Sequence, residues 1–276
     1  MDYFFLPLEQ WMNEFVNGWF LPTFSGIFNV ISEVFNIFIS GVTDLLLMIP
    51  AELFTIILAL IAWKVSGIGL SVFTIIGFLF IGSVDMWEGA MQTLAIIIVA
   101  TLVSLVIGIP VGILSAMNDG VQRIVRPILD FMQTLPSFVY LIPAVLLFGL
   151  GGVPAVMATF IFAAPPAVRM TNLGIRSVPK EIIEASRAFG STNKQLLYKV
   201  QIPLAIPSIM AGVNQTIMLS LSMAVVASMI GAPGLGASVL TAISQVNIGL
   251  GLVAGLGIVV LAIVLDRITQ GIGKGK

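Results

Sequence analysis

The sequence contains no cysteine and no histidine, and only 9% of its 276 residues are charged. Without cysteine there is no disulfide framework and no thiolate metal site. Without histidine the commonest general base, the commonest metal ligand and the usual proton shuttle near neutral pH are missing together. Soluble domains carry about 25% charged residues, so this chain has too few polar groups to cover a surface in water. Basic residues are also absent from the whole stretch before Lys64, although Asp2, Glu9, Glu14, Glu33, Asp44 and Glu52 lie there. No GxxxxGK[ST] phosphate-binding loop occurs anywhere, so ATP chemistry would have to come from another subunit. Apolar stretches almost free of ionisable groups argue against proton or sodium coupling. No internal repeat is evident, and nothing points to nucleic acid as a partner.

What the sequence does contain is apolar surface: 58% of residues are hydrophobic and the mean hydropathy is +1.12. A bilayer is therefore the expected solvent and an all-α polytopic membrane protein the expected fold class. The start, Met1-Asp2-Tyr3, lacks the basic region of a signal peptide and reads as retained. Residues 1–44 read as an N-terminal interfacial or amphipathic region, with Phe24, Ile27, Phe28, Ile31, Val34, Phe35 and Phe38 on one helical face. Residues 45–89 read as two accessory spans, 45–63 and 67–83. A core from 90 to 270 follows, with spans at 91–116, 131–149, 154–170, 204–230 and 247–268. Met117 to Pro127 reads as a polar loop, Pro165-Pro166 as a helix end or kink, and residues 271–276 as a tail. Gly251-x-x-x-Gly255 suggests close helix packing. Trp11, Trp19, Trp63 and Trp87 all precede the core and read as interfacial anchors; nothing in the core resembles an aromatic cage for a cation.

The positive-inside rule orders these spans. With the Arg169–Lys199 stretch placed in the cytoplasm, every one of the 12 Lys and Arg residues falls on the cytoplasmic side. Asp85, Glu88 and the acidic N-terminal stretch fall on the other side.

The long cytoplasmic loop, 171–203, is the most informative segment. Loops of this length with their own helices are usually functional. Pro179 suits a helix start with Ser177 available as a cap, Gly190 supplies a break, and Ser191 can cap a second short helix. Glu184-Ala185-Ser186, three residues, Gly190, nine residues and then Val200-Gln201-Ile202-Pro203 resembles the EAA loop of ABC importer permeases. The departures at Ser186, Val200 and Ile202 keep similar size and shape. Further stretches, AMQTLAIIIVATLVSLVIGIPVGILSA and RPILDFMQTLPSFVYLIPAVLLFGLGGVPAV among them, look like the glycine betaine/proline betaine permease subfamily, over about residues 90–270.

That resemblance implies a type I importer transmembrane domain, with a five-helix core and N-terminal accessory helices, in a bacterial plasma membrane. It implies a coupling helix at Glu184, Ala185, Ser186 and Gly190, to which Arg187 adds a charged rim and Phe189 apolar contact. It implies two ABC ATPase subunits, a second copy of this chain and an extracytoplasmic substrate-binding protein as partners. The chain itself would bind no cofactor; ATP and Mg would be used by the ATPase. Gln133, Thr134, Ser137, Asn214, Gln215 and Thr216 are the polar candidates for the pathway, with interhelical hydrogen bonding as the plainer account of them. The cargo expected is a quaternary ammonium osmoprotectant. Another small solute such as an amino acid, a stand-alone secondary transporter and a non-transporting scaffold remain open alternatives at this point.

Overall fold

A computed structural model describes residues 6–273; Asp2, Lys274 and Lys276 lie outside the described residues. Among these, every regular element is helical. Helix α1 is a continuous rod, Leu8–Met48, with a π-helical stretch at Glu14–Phe20. Ile49 is extended, as a residue before proline prefers, and Pro50 starts α2 (Ala51–Ser66). A hairpin turn leads to α3 (Ile68–Ser83). The helix expected from residue 45 therefore begins at 51, because the first rod runs on to Met48, and neither it nor α3 is long enough to count among the crossing helices.

The core begins with α4 (Trp87–Met117), whose buried positions run from Ala90 to Ser115. Next comes α5 (Asp119–Thr134), then a short 3₁₀ turn Ser137–Tyr140 and α6 (Leu141–Phe148). Helix α7 is Gly152–Arg176, α8 is Lys180–Ala188, α9 is the composite Asn193–Ile230, α10 is Leu235–Ser244 and α11 is Ile248–Gly273. Five of these, α1, α4, α7, α9 and α11, are long and apolar enough to cross a membrane. The α5–α6 pair, bent by 109°, makes a sixth if it is one broken span.

One sequence expectation changes here and one is narrowed. The supposed polar loop 117–127 is the first half of α5, an amphipathic helix. Asn118 caps it by accepting from the Gly120 amide at 2.8 Å. Its acids are satisfied by α7: Asp119 pairs with Arg176 at 2.7 Å and Asp130 with Arg169 at 2.6 Å. A helix with polar residues on one face looks like a loop when only its average polarity is read. Pro165 and Pro166 do not end α7, which continues to Arg176; close neighbours tolerate proline inside a membrane helix.

Long-range contacts define two ends. At the basic end, Ser66 donates to the Arg267 carbonyl at 3.1 Å, and Arg176 donates to the Ser115 carbonyl at 2.8 Å. At the acidic end, the Gly151 amide donates to the Ile230 carbonyl at 2.9 Å, and the Leu235 amide to Thr93 Oγ1 at 2.9 Å.

Apolar lipid gives helices no hydrophobic reason to associate, so close van der Waals packing through small residues must hold them together. Helix α7 packs on α4 and α9 in this way. A Cβ on Gly112 would lie 2.6 Å from Thr171 Cβ, one on Gly174 2.7 Å from Ser208 Cβ, and one on Gly212 2.8 Å from Met170 Cβ. The Gly251-x-x-x-Gly255 pair does not serve this purpose: Gly255 faces open space and Gly251 meets only Ala242, at 3.4 Å. Phe78, Ile81, Met91, Ile96, Met223, Leu235 and Leu261 fill the main core.

Replacing Gly112 with Ala pushes a methyl against Thr171 and the Val168 carbonyl, 2.7 Å away. We expect a loss of about 1–3 kcal/mol, the usual range for overpacking, visible as a lower melting temperature in detergent. Gly255→Ala should leave the melting temperature within about a degree of the parent, since its loss falls near the ±0.5 kcal/mol of uncrowded surface changes.

Candidate functional site

The loop between α7 and α9 forms a knob with an anchored base and a bare tip. Its base is a small separate core in which Ile175, Leu197 and Ala205 are buried, with Ile113, Ala116, Ile202 and Ile209 packed around them. Leu196 is buried beside Leu197. Helix α8 by contrast has no buried residue, and Phe189 directly after it is 92% exposed. With the exposed Ile182 and Ala185, Phe189 stands at helical spacing on one side of α8, and a contiguous exposed apolar patch, unlike a single residue, marks an interaction site.

The tip is fixed by its backbone. Gly190 has φ +82, a conformation that costs other residues strain. Its amide donates to the Arg187 carbonyl at 2.9 Å, and the Ser191 amide donates to the Ser186 carbonyl at 3.1 Å. These two bonds are the Schellman arrangement that closes a helix C-terminus. Space around Gly190 is open, since a Cβ there would meet nothing within 4 Å; the need for glycine is conformational, not steric.

The caps differ from those expected. Pro179 is the N-cap of α8, while Ser177 donates to the Gly174 carbonyl at 3.1 Å and so finishes α7. Thr192, not Ser191, caps the start of α9. The Gln195 amide donates to Thr192 Oγ1 at 3.3 Å, and the Thr192 amide donates to Gln195 Oε1 at 2.9 Å. This reciprocal capping box was legible in the Thr-x-x-Gln spacing. Glu184, Ala185, Arg187 and Phe189 are exposed together around the tip, and Ser186 turns inward, donating to the Ile182 carbonyl at 2.8 Å.

The polar pathway candidates are divided by the structure. Gln133, Thr134 and Ser137 flank the bend between α5 and α6, with Gln133 and Thr134 exposed. Asn214, Gln215 and Thr216 are consecutive on α9, so helical geometry points them in three directions. Asn214 donates to Asp266 Oδ1 on α11 at 3.1 Å, Gln215 is exposed and Thr216 is fully buried. Sequence reasoning passed over Asp266. Gln270 also donates to it, at 2.7 and 2.8 Å, which makes a polar node between α9 and α11. The four-residue spacing of Asp266 and Gln270 within an apolar helix was the available signal.

Among the described residues no group of acidic side chains could hold a metal ion. The arrangement is a capped knob whose two flanking helices, α7 and α9, continue into the bundle.

Comparison with known proteins gives this geometry a context. Residues 108–275, more than half of the chain, match the family described as binding-protein-dependent transport system inner membrane component. The chain is 50% identical over 271 residues to the glycine betaine transport system permease protein OpuAB of Bacillus subtilis, covering 98% of this chain and 96% of that one. It is 49% identical to the glycine betaine/proline betaine transport system permease protein ProW of Escherichia coli, covering 98% of this chain and 76% of that one. The glycine betaine/carnitine transport permease protein GbuB of Listeria monocytogenes is 48% identical, over 98% of this chain and 96% of its own. Among solved structures, an inward-facing conformation of the MetNI methionine ABC transporter aligns with TM-score 0.63 at 25% identity, over 68% of this chain and 94% of that one.

Gly190→Ala should keep the bundle's stability while loosening the tip. The left-handed conformation costs a non-glycine residue about 1–2 kcal/mol. Amide exchange at residues 186–191 should therefore quicken by about five-fold or more, with exchange in α4 unchanged, when followed by mass spectrometry.

Proposed function

The chain belongs to the binding-protein-dependent transport system inner membrane components, the permease subunits of ABC importers, and from that premise we propose that its cargo is glycine betaine or a related quaternary ammonium osmoprotectant. Relatives near 50% identity whose names carry glycine betaine support this cargo. The methionine transporter shares the fold at 25% identity, a likeness too distant to shift the choice of solute.

The observation that carries the mechanism is the bare Phe189 on an anchored base. On this proposal Glu184, Ala185, Ser186, Arg187, Phe189 and Gly190 dock on a separate ATPase subunit. Phe189 and Ala185 supply the buried anchor, and Glu184 and Arg187 set register at the rim. The ATPase binds ATP and Mg; this chain supplies no nucleotide site. Two copies of the chain enclose the pathway, each on its own ATPase, and an extracytoplasmic binding protein delivers the solute. Residues 90–270 form the pathway core, with 171–203 as the coupling loop, residues 45–89 as accessory helices and 1–44 as a peripheral helix.

Force has a direct route in this arrangement. Closure of the ATPases displaces the knob, and both flanking helices must follow because Gly174 and Gly212 hold them within van der Waals contact. Gln133, Thr134 and Ser137, at the α5–α6 bend, are the polar groups we assign to the pathway. Asn214 and Thr216 serve interhelical packing in this conformation.

Phe189→Ala should lower solute uptake by about ten-fold or more, the usual loss for a central interface aromatic, with assembly in the membrane retained because the ring is 92% exposed. Uptake and ATPase activity of the complex reconstituted with its binding protein are the readouts. Stimulation by methionine in place of glycine betaine would replace the cargo, and uptake by this chain alone would discard ATP coupling.

A further inference from the structure

Between α5 and α6 the helical ladder is broken, and one side chain closes the break. Leu135 (φ −71, ψ 134) and Pro136 (φ −57, ψ 142) are extended, Leu135 because a residue before proline avoids the helical region. Carbonyls in the last turn of α5 therefore lose their usual donors. The Thr134 hydroxyl donates to the Phe131 carbonyl at 3.0 Å. The Met132 carbonyl would take the amide of residue 136, which as proline has none. The Tyr140 hydroxyl donates to it instead, reaching back from the start of α6 to the last turn of α5. Tyr140 is buried, so without its hydroxyl that carbonyl would stand unpaired, which is costly in apolar surroundings.

We propose that Tyr140 is a positioning residue for transport: its hydroxyl holds the α5–α6 bend in shape, and its ring links that bend to α7. The proposal rests on the pathway role given above to Gln133, Thr134 and Ser137. All three lie in the short stretch between Met132 and Tyr140, so one hydrogen bond closes the loop that carries them.

The link to α7 is the ring. Tyr140 meets Phe162 nearly edge-on, with ring centroids 6.0 Å apart and planes at 67°. Phe162 stands just before Pro165 and Pro166, which have no amides for the carbonyls of Ile161 and Phe162. Helix α7 thus has its weakest backbone ladder where Tyr140 abuts it, and its far end is the knob. A displacement of the knob bends α7 there and bears on the Tyr140 ring. With the hydroxyl fixed on Met132, the ring passes that push to the angle between α5 and α6, which is 109° in this conformation.

The sequence has no cysteine, so spin labels can be introduced cleanly at Ile124 on α5 and Ile142 on α6, both exposed. The test uses the complex with its ATPase and binding protein in nanodiscs, the labelled chain diluted with unlabelled chain. Tyr140→Phe should broaden the 124–142 distance distribution and shift it to longer distance. In unlabelled complexes the maximal uptake rate should fall about five-fold or more, the population change expected for one lost buried hydrogen bond. The half-saturating solute concentration, set by the binding protein, should stay the same.

Pro136→Ala separates the hydroxyl from mere packing. It returns an amide that can bond the Met132 carbonyl, so on that background Tyr140→Phe should change distance and rate much less. A packing role would show no such dependence, because phenylalanine keeps the ring. An unchanged distance distribution in Tyr140→Phe, a changed distribution with unchanged uptake, or an equal effect on both backgrounds would overturn the proposal. Failure of the unsubstituted complex to take up solute would count against the function proposed above, whereas the distance distributions decide the Tyr140 bond by themselves.

Discussion

Everything in this bundle depends on how near α7 can come to its neighbours. Gly108 and Gly112 let α4 approach it, and Gly174 and Gly212 let α9 do so. In a solvent as apolar as the side chains themselves, this proximity is the main source of cohesion. It also sets the mechanics. Helix α7 runs into the knob and α9 runs out of it, so on the function proposed above the two helices that carry a displacement touch one another directly, at Gly174 and Gly212. Side chains at those four positions would leave a looser bundle in which the knob could move without carrying the helices along.

The ends of the molecule are built differently. At the basic end, charge is used structurally: Arg176 ties α7 to the Ser115 carbonyl and to Asp119, and Arg169 ties it to Asp130. At the acidic end, backbone hydrogen bonds and aromatic packing do the joining, through Gly151 and Ile230, Thr93 and Leu235, and the Phe54–Phe78–Trp87 cluster. A charge gradient along the chain thus becomes a division of labour, with a salt-bridged frame around the knob and uncompensated acids opposite it.

Much of this was legible in the sequence where one strong physical preference acted alone. Hydropathy located α4, α7, α9 and α11, because long apolar runs have no competing solution in a membrane. The Lys and Arg distribution marked out one end of the bundle, and the glycine at 190 gave the break in the knob. Legibility failed where two preferences competed. Helix α5 has the average polarity of a loop, and its helical state rests on the Asn118 cap and on arginines far away in the chain. For Asn214 the plainer account, interhelical hydrogen bonding, holds, but its partner Asp266, 52 positions later, could not be named from the sequence. The packing of Trp87 on Phe54 and Phe78 could not be read from its place in the chain, because those rings come from two other helices. Ser177 and Ser191 were plausible caps by type, yet the chain used Pro179 and Thr192 in their place, since local backbone angles choose among adjacent candidates.

The accessory hairpin has one more physical implication. Its two helices, α2 and α3, have 16 residues each, about 24 Å of rise, against a hydrocarbon thickness of about 30 Å. Lys64, Glu52 and the residues around Trp87 sit at their ends, where they can reach for headgroups across the shortfall. As the accessory spans proposed above, such a pair would thin the bilayer around it at a modest cost for each ångström of mismatch, and the length of the surrounding acyl chains would become a mechanical load on the hairpin.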